Sequence, residues 1–108
     1  MTQATIQAGI CGFTTHVKAE SPDEQNVELS IDSDCEHIRE LAAKLATVDA
    51  YAEIGAGWGG IIHHAAESTL KGCCAGCIVP SGIFKTVQVA ARVALPQTAS
   101  IQIHKETQ

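Results

Sequence analysis

The sequence predicts an α+β domain: a small antiparallel-containing sheet covered by about three helices, in the order β-β-α-α-α-β. Three observations predict it. Apolar and polar residues alternate early in the chain and again near its end, the period of half-buried strands. Between those regions apolar residues recur at three- and four-residue spacings, the period of helices packed through one face. The 108 residues, 45% hydrophobic and 18% charged, suffice for a single domain over 1–108 and not for two.

The elements follow in chain order. Ala4, Ile6, Ala8 and Ile10 share one face of a strand, and Thr5, Gln7 and Gly9 the other. From Phe13 through Val17 and Ala19 the apolar residues fall on odd numbers. A period-two strand changes phase only through an extra residue or a turn. Cys11-Gly12 stands at that break, which predicts a β-bulge in one long strand, with a hairpin turn as the alternative. Either device aims Cys11 out of the regular pleat. Ser21–Asn26 is a polar turn, and Val27, Leu29 and Ile31 then alternate with Glu28, Ser30 and Asp32 as a second, antiparallel strand.

Ser33 and Glu36 have the spacing of a capping box. The helix they open buries Ile38, Leu41, Ala42, Leu45 and Val48. Cys35 falls in its first turn, where unpaired backbone N–H groups favour a thiolate. Tyr51–Gly60 reads as a glycine loop, with Gly55, Gly57, Gly59 and Gly60. A dinucleotide fingerprint needs a strand before its glycines and a phosphate loop needs Gly-Lys-Ser/Thr, so nucleotide binding is a minor alternative. A second helix covers Ile61 to Leu70 with Ile62, Ala65, Ala66 and Thr69 inward, and Gly72 suits its C′ position. His63 and His64 face different sides of it and suit structural or exposed roles better than ligation, and Trp58 is expected to pack. A third helix opens at Pro80 or Ser81, carries Ile83, Val87, Ala90, Ala91 and Ala94 on one stripe, and closes at Pro96. Ala99, Ile101 and Ile103 alternate with Ser100, Gln102 and His104 as a last strand, and Lys105–Gln108 is a polar, frayed tail.

Charge narrows the function. The net charge is -5, and no stretch concentrates Lys or Arg, which argues against a nucleic-acid surface. No apolar run approaches the ~20 residues that cross a bilayer, and the first residues lack a signal peptide's basic and apolar regions, so no membrane association and a cytoplasmic address are expected. Eight of the 12 acidic residues lie between Glu20 and Glu40. A solvated face explains them, and a surface for a redox or metal-delivery protein partner is the sharper alternative. A homo-oligomer is compatible with everything above.

The chemistry lies in five cysteines, Cys11, Cys35, Cys73, Cys74 and Cys77. An odd number in a reducing compartment argues against a disulfide framework. Single buried cysteines act as small hydrophobes, which would account for Cys11 or Cys35 alone. Three thiols in Cys73-Cys74-Ala75-Gly76-Cys77 are too dense for that explanation. Cys74 and Cys77 have the C-x-x-C spacing that turns two thiolates to one side, with Gly76 free to take positive φ. A zinc finger or ribbon uses two such pairs, and here there is one. One local cluster plus remote cysteines also suits an Fe–S cluster. Gly9, Gly12, Gly72 and Gly76 leave backbone N–H groups free to approach sulfide, and Ile10, Phe13, Ile78, Val79 and Pro80 could exclude water.

The expected ligand set is therefore Cys11, Cys35, Cys74 and Cys77, with Cys73 as an alternate ligand. The expected cofactor is an Fe–S cluster, with zinc the alternative, in electron transfer, redox sensing or cluster and metal handling. Whether the chain is an enzyme is left open. Metal-free dithiol redox or persulfide transfer through Cys73, Cys74 and Cys77 is the rival, although no βαβ context surrounds the motif. A non-catalytic interaction module held by structural zinc is the third reading. Hydrolytic signatures around serine are absent, and a Cys–His nucleophilic pair, such as Cys35 with His37 or Cys74 with His64, is a minor alternative. Cys-Gly-Phe at 11–13 and Cys-Cys-Ala-Gly-Cys-Ile-Val-Pro at 73–80 resemble short, Cys-rich prokaryotic proteins of the domain-of-unknown-function kind. That resemblance implies no activity and carries over no catalytic residue.

Overall fold

The structure, a computed structural model, describes residues 1–106. Four strands, β1 (Thr2–Gln7), β2 (Thr14–Glu20), β3 (Asn26–Ser33) and β4 (Thr47–Asp49), form one antiparallel sheet in the order β1-β2-β3-β4. Four helices accompany it: α1 (Glu36–Ala42), α2 (Ala50–Ala56), α3 (Ile61–Thr69) and α4 (Val79–Ala90). The α+β class holds, in the order β-β-β-α-β-α-α-α.

The phase change at Cys11-Gly12 is a hairpin loop and not a bulge. Ile6 pairs with Thr15 and Gln7 with Thr14, so residues 8–13 reverse the chain. The Ala8 N–H donates to the Phe13 carbonyl at 3.2 Å and the Gly12 N–H to the Gly9 carbonyl at 2.9 Å. Gly9 and Gly12 take φ of 91° and 75°, a region that side-chain-bearing residues rarely adopt. The single long strand thus divides into β1 and β2.

One sheet face is apolar and covered. Ile6, Val17, Ala19, Val27 and Val48 are buried on it, while Gln3, Thr5, His16, Lys18 and Glu28 stand exposed on the other. α4 lies against β1 and β2, α1 against β3, and α3 touches both helices. The core is aliphatic, as two Phe, one Tyr and one Trp require. Val17, Val27, Ile62, Ile83 and Val87 are all at 0% exposure, each contributing roughly 1.5–3 kcal/mol through burial.

Other boundaries differ from expectation. α1 starts at Glu36 with Cys35 as N-cap, because Ser33 is spent as the buried last residue of β3. It ends at Ala42, and Val48 packs from β4 instead of from the helix. Much of the expected glycine loop is α2, followed by a 3-10 turn over Gly57–Gly59. The Gly72–Gly76 segment is a second 3-10 turn. Among the described residues the expected strand at Ala99–Ile103 has no partner strand and forms none. Of the expected tail, Thr107 and Gln108 lie outside the described residues.

Gly72–Ala90, 19 residues with mean hydropathy 1.3, has the length and composition of a membrane-crossing helix, contrary to the expectation that no apolar run approaches that length. It is not one continuous α-helix here, because the Gly72–Gly76 turn precedes α4. The 12 residues of α4 span about 18 Å, against roughly 30 Å of bilayer hydrocarbon. Its apolar stripe, including Val79, Pro80, Ile83 and Val87, is buried on the sheet.

Candidate functional site

The topology brings three separate segments to one end of the sheet. β1 ends there in the Ala8–Phe13 loop, β3 ends there before Cys35, and α4 begins there after Cys77. Those three junctions carry Cys11, Cys35 and the Cys73–Cys77 segment. All five cysteines are free thiols.

Each thiol is placed by local chemistry. Cys11 is exposed on the hairpin loop. Cys35 is half-buried against the core, and its N–H donates to Ser33 Oγ at 3.1 Å. That oxygen in turn accepts from Thr15 Oγ1 at 2.9 Å, so the end of β3 is tied to β2 beneath the thiol. Arg39 Nη1 donates to the Ser33 carbonyl at 3.1 Å and fixes the same corner from α1. Gly72, with φ of 64°, admits the chain to the cysteine turn, whereas Gly76 does not take the positive φ expected of it. The Cys74 N–H donates to the Lys71 carbonyl at 3.2 Å and the Cys77 N–H to the Cys74 carbonyl at 3.1 Å. Cys74 and Cys77 are half-buried on the core, and Cys73 points out of it.

Cys77 reports on its surroundings. Burial pushes its thiol above the ordinary value of 9.0. A hydrogen bond from the Val79 backbone N–H pulls the other way, and the thiols of Cys11, Cys35 and Cys74 add a smaller upward push by charge repulsion. Cys73 is not among the groups whose charge acts on it. Cys11, Cys35 and Cys74 are therefore each within electrostatic reach of Cys77. Among the described residues no three His, Cys, Asp or Glu side chains stand close enough to share an ion. Of the expected water-excluding residues, Val79 and Pro80 are buried and Ile78 is half-buried, but Ile10 is fully in solvent and Phe13 is 39% exposed.

Gly60, the last of the glycine run, makes room for a carboxylate. The carboxylate of Glu53, 2% exposed, accepts from the Ile61 and Ile62 N–H groups at 2.9 and 2.7 Å. The first turn of α3 thus already holds an anion, and a phosphate would have to displace it. Gly60 lies directly beneath: a Cβ there would meet Glu53 Oε2 at 2.7 Å. Sequence reading missed Glu53. A lone acid eight residues before a helix start carries no periodic signal, and only the fold brings the two together.

A second surface feature surrounds Trp58. Trp58, 80% exposed, stacks its ring on His63 at 4.0 Å between centroids, and His63 stacks on Phe84 at 5.5 Å. They line an open groove of about 340 Å³ with Ile54, Ser81, Lys85 and Gln88. Among the described residues, buried His63 Nδ1 has no hydrogen-bond partner. His63 thus packs and His64 is exposed, while Trp58 both stacks and faces water.

The model of a family described as a family of unknown function (DUF6951) matches residues 2–103. No curated protein and no solved structure matches the chain.

Proposed function

We propose a function for this chain, which belongs to that family of unknown function, from its own thiols: it is a small metal-binding protein with a Cys-ligated centre. The ligands are Cys11, Cys35, Cys74 and Cys77. The observation that carries the reading is the convergence of the three chain junctions, with Cys77 sensing the other three thiols and not Cys73. Thiolates are soft donors, and a set made only of thiolates suits an Fe–S cluster first and zinc second.

Each residue has a role in that reading. Holding a cation would require the four sulfurs to give up their protons, and its charge would offset the repulsion felt at Cys77. The Val79 N–H, already donated to Cys77, favours its ionised form. Buried Val79 and Pro80 keep water from one side of the thiols, and buried surroundings of this kind tune a cluster's potential. A bound cluster would supply one-electron chemistry or a transferable metal–sulfur unit. Closing the site asks the Ala8–Phe13 loop to bring Cys11 inward, a movement that a glycine at each end permits. The reading includes a redox or metal-delivery protein as partner and a reducing, cytoplasmic compartment, which suits five unpaired thiols.

The test is anaerobic reconstitution of the full chain with iron and sulfide, and separately with zinc. The parent is compared with Cys77→Ser, Cys35→Ser and Cys73→Ser, with circular dichroism as the control for folding. Cys77→Ser and Cys35→Ser should lose bound metal while Cys73→Ser retains it. Equal metal content in all three variants would refute the ligand set. Parent protein that takes up neither metal while its thiols cycle to a disulfide would favour dithiol or persulfide chemistry at Cys73–Cys77.

A further inference from the structure

The segment after α4 has the sequence pattern of a strand and, among the described residues, pairs with none. Residues 95–106 are all exposed and carry no regular structure. Within them Ala99, Ile101 and Ile103 alternate with Ser100, Gln102 and His104, the pattern of a strand with one buried face. Leu95, Ile101 and Ile103 stand 86%, 66% and 88% exposed, which is a poor end state for three large aliphatic side chains on one short segment. The described chain measures 53 × 27 × 25 Å, twice as long as it is wide. The start of this arm is anchored: Val93 N–H donates to the Gln88 carbonyl at 3.0 Å, and Arg92 contacts Glu24 at 3.3 Å. That contact places the root of the arm at the β2–β3 turn, the end of the sheet at which β1 begins.

The sheet has a matching vacancy. β1 and β4 are its two edges. β4 has only three residues, a length that limits pairing. β1 has six, Thr2–Gln7, with no charge, no proline and no bulge, and so lacks the devices that normally protect an edge. The ladder shows which of its backbone groups are free. Ala8 bonds to Phe13 across the hairpin, and in an antiparallel pair bonded positions alternate. Ile6, Ala4 and Thr2 therefore face β2 through their backbone, and the N–H and C=O groups of Gln3, Thr5 and Gln7 face outward. An added strand from Ala99 to His104 equals β1 in length. With its apolar residues on the covered face, it would extend the row formed by Ala4 and Ile6.

We propose that the arm Ala99–His104 adds as a fifth strand to the β1 edge of a second copy of this chain, in a reciprocal, two-fold symmetric exchange. The exchange buries Ile101 and Ile103 of each copy and satisfies both open edges, so the assembly closes at two. It does not depend on the thiols, and removal of metal leaves it in place.

Size-exclusion chromatography with light scattering on the full chain, at micromolar concentration, tests it. The expected mass is twice that of one chain. Ile101→Glu/Ile103→Glu should restore the single-chain mass. Thr5→Pro should do the same by removing an outward N–H, a change that an edge strand tolerates when that group faces away from its ladder. Circular dichroism should be unchanged in the arm variant, which therefore remains informative if the proline variant fails to fold. Hydrogen exchange should show protected amides at 99–104 in the dimer only. A full chain that runs as one copy overturns the proposal, and protected arm amides in that single copy would mean that the arm pairs with its own β1. A dimer that survives the arm substitutions overturns it as well.

Discussion

Two polar regions of this molecule are organised in opposite ways. At the start of α3, Glu53 is buried, accepts two backbone N–H groups and sits on Gly60 with no room to spare. At the cysteine end, three segments bring Cys11, Cys35 and Cys74 within electrostatic reach of Cys77, and all are free thiols. The first region is complete within the chain. The second places side chains of one chemical kind at one end of the sheet, the set that the proposed centre would unite. The proposed metal centre assigns an external group to the second region and none to the first.

The contrast breaks first at Glu53. Glu53→Ala leaves two buried N–H groups without an acceptor and should lower stability by about 3 kcal/mol, since hydrogen bonds to a charged group contribute roughly 1.5–3 kcal/mol each. At roughly 4–8 °C per kcal/mol for a domain near this size, thermal melting shows the loss plainly. Metal uptake of whatever fraction remains folded should be unchanged. Gly60→Ala should follow, at about 1–3 kcal/mol, because its Cβ forces the Glu53 carboxylate off the helix end. A Gly60→Ala protein that melts with the parent would mean that the carboxylate shifts at little cost and that the region is less closed than described.

The cysteine end should respond in the reverse manner. Cys77→Ser is expected to abolish metal binding yet to move the melting of metal-free protein by no more than about 1 kcal/mol, as for a half-buried isosteric change. Chelation of the loaded parent should lower its melting temperature toward that of the variant, since metal binding is linked to folding. Coincident melting of loaded and stripped parent protein would remove the stabilising role.

The smallest effect is expected at Asp49, the N-cap of α2. Its carboxylate accepts from the Ala52 N–H at 3.0 Å and from the Gln25 side-chain amide at 2.9 Å, and these bonds hold its pKa below the ordinary 3.8. A carboxylate lowered on folding contributes stability that is present above pH 3.8 and is lost as pH falls through the lower folded value. Asp49→Asn keeps a good capping side chain, so melting near neutrality should change little. Metal-free Asp49→Asn should lose less stability than the parent between neutral pH and pH 3. Equal acid sensitivity would show that the cap bond does not discriminate between the two protonation states.

The strongest periodic signals survived the comparison with the fold. Val17, Val27, Ile38, Leu41, Ile62, Ile83 and Val87 are all core residues, because period two and period 3.6 report directly which face is buried. The failures have separate causes. A phase change looks the same for a bulge and a hairpin, and only the register of Gln7 with Thr14 decides it. β4 is three residues long, too short for any alternation to show. Four glycines between 55 and 60 suggested a loop, whereas Gly55 lies within α2 and Gly60 makes room for a carboxylate. The alternation at 99–103 is real, but its partner lies outside the single chain if the arm proposal holds. As for the site, the turn at Cys74–Cys77 was legible from spacing. The arrival of Cys11 and Cys35 at the same end depends on strand directions, which the sequence carries only indirectly.

One measurement bears on the central claim most directly: an ultraviolet–visible spectrum with iron, sulfide and zinc analysis, on full-length protein purified without oxygen and without added metal. The account predicts a broad visible absorption with stoichiometric iron and sulfide, both lost in Cys77→Ser. Stoichiometric zinc in a colourless protein would keep the ligands and replace the cluster. A colourless, metal-free protein with five titratable thiols would contradict the account.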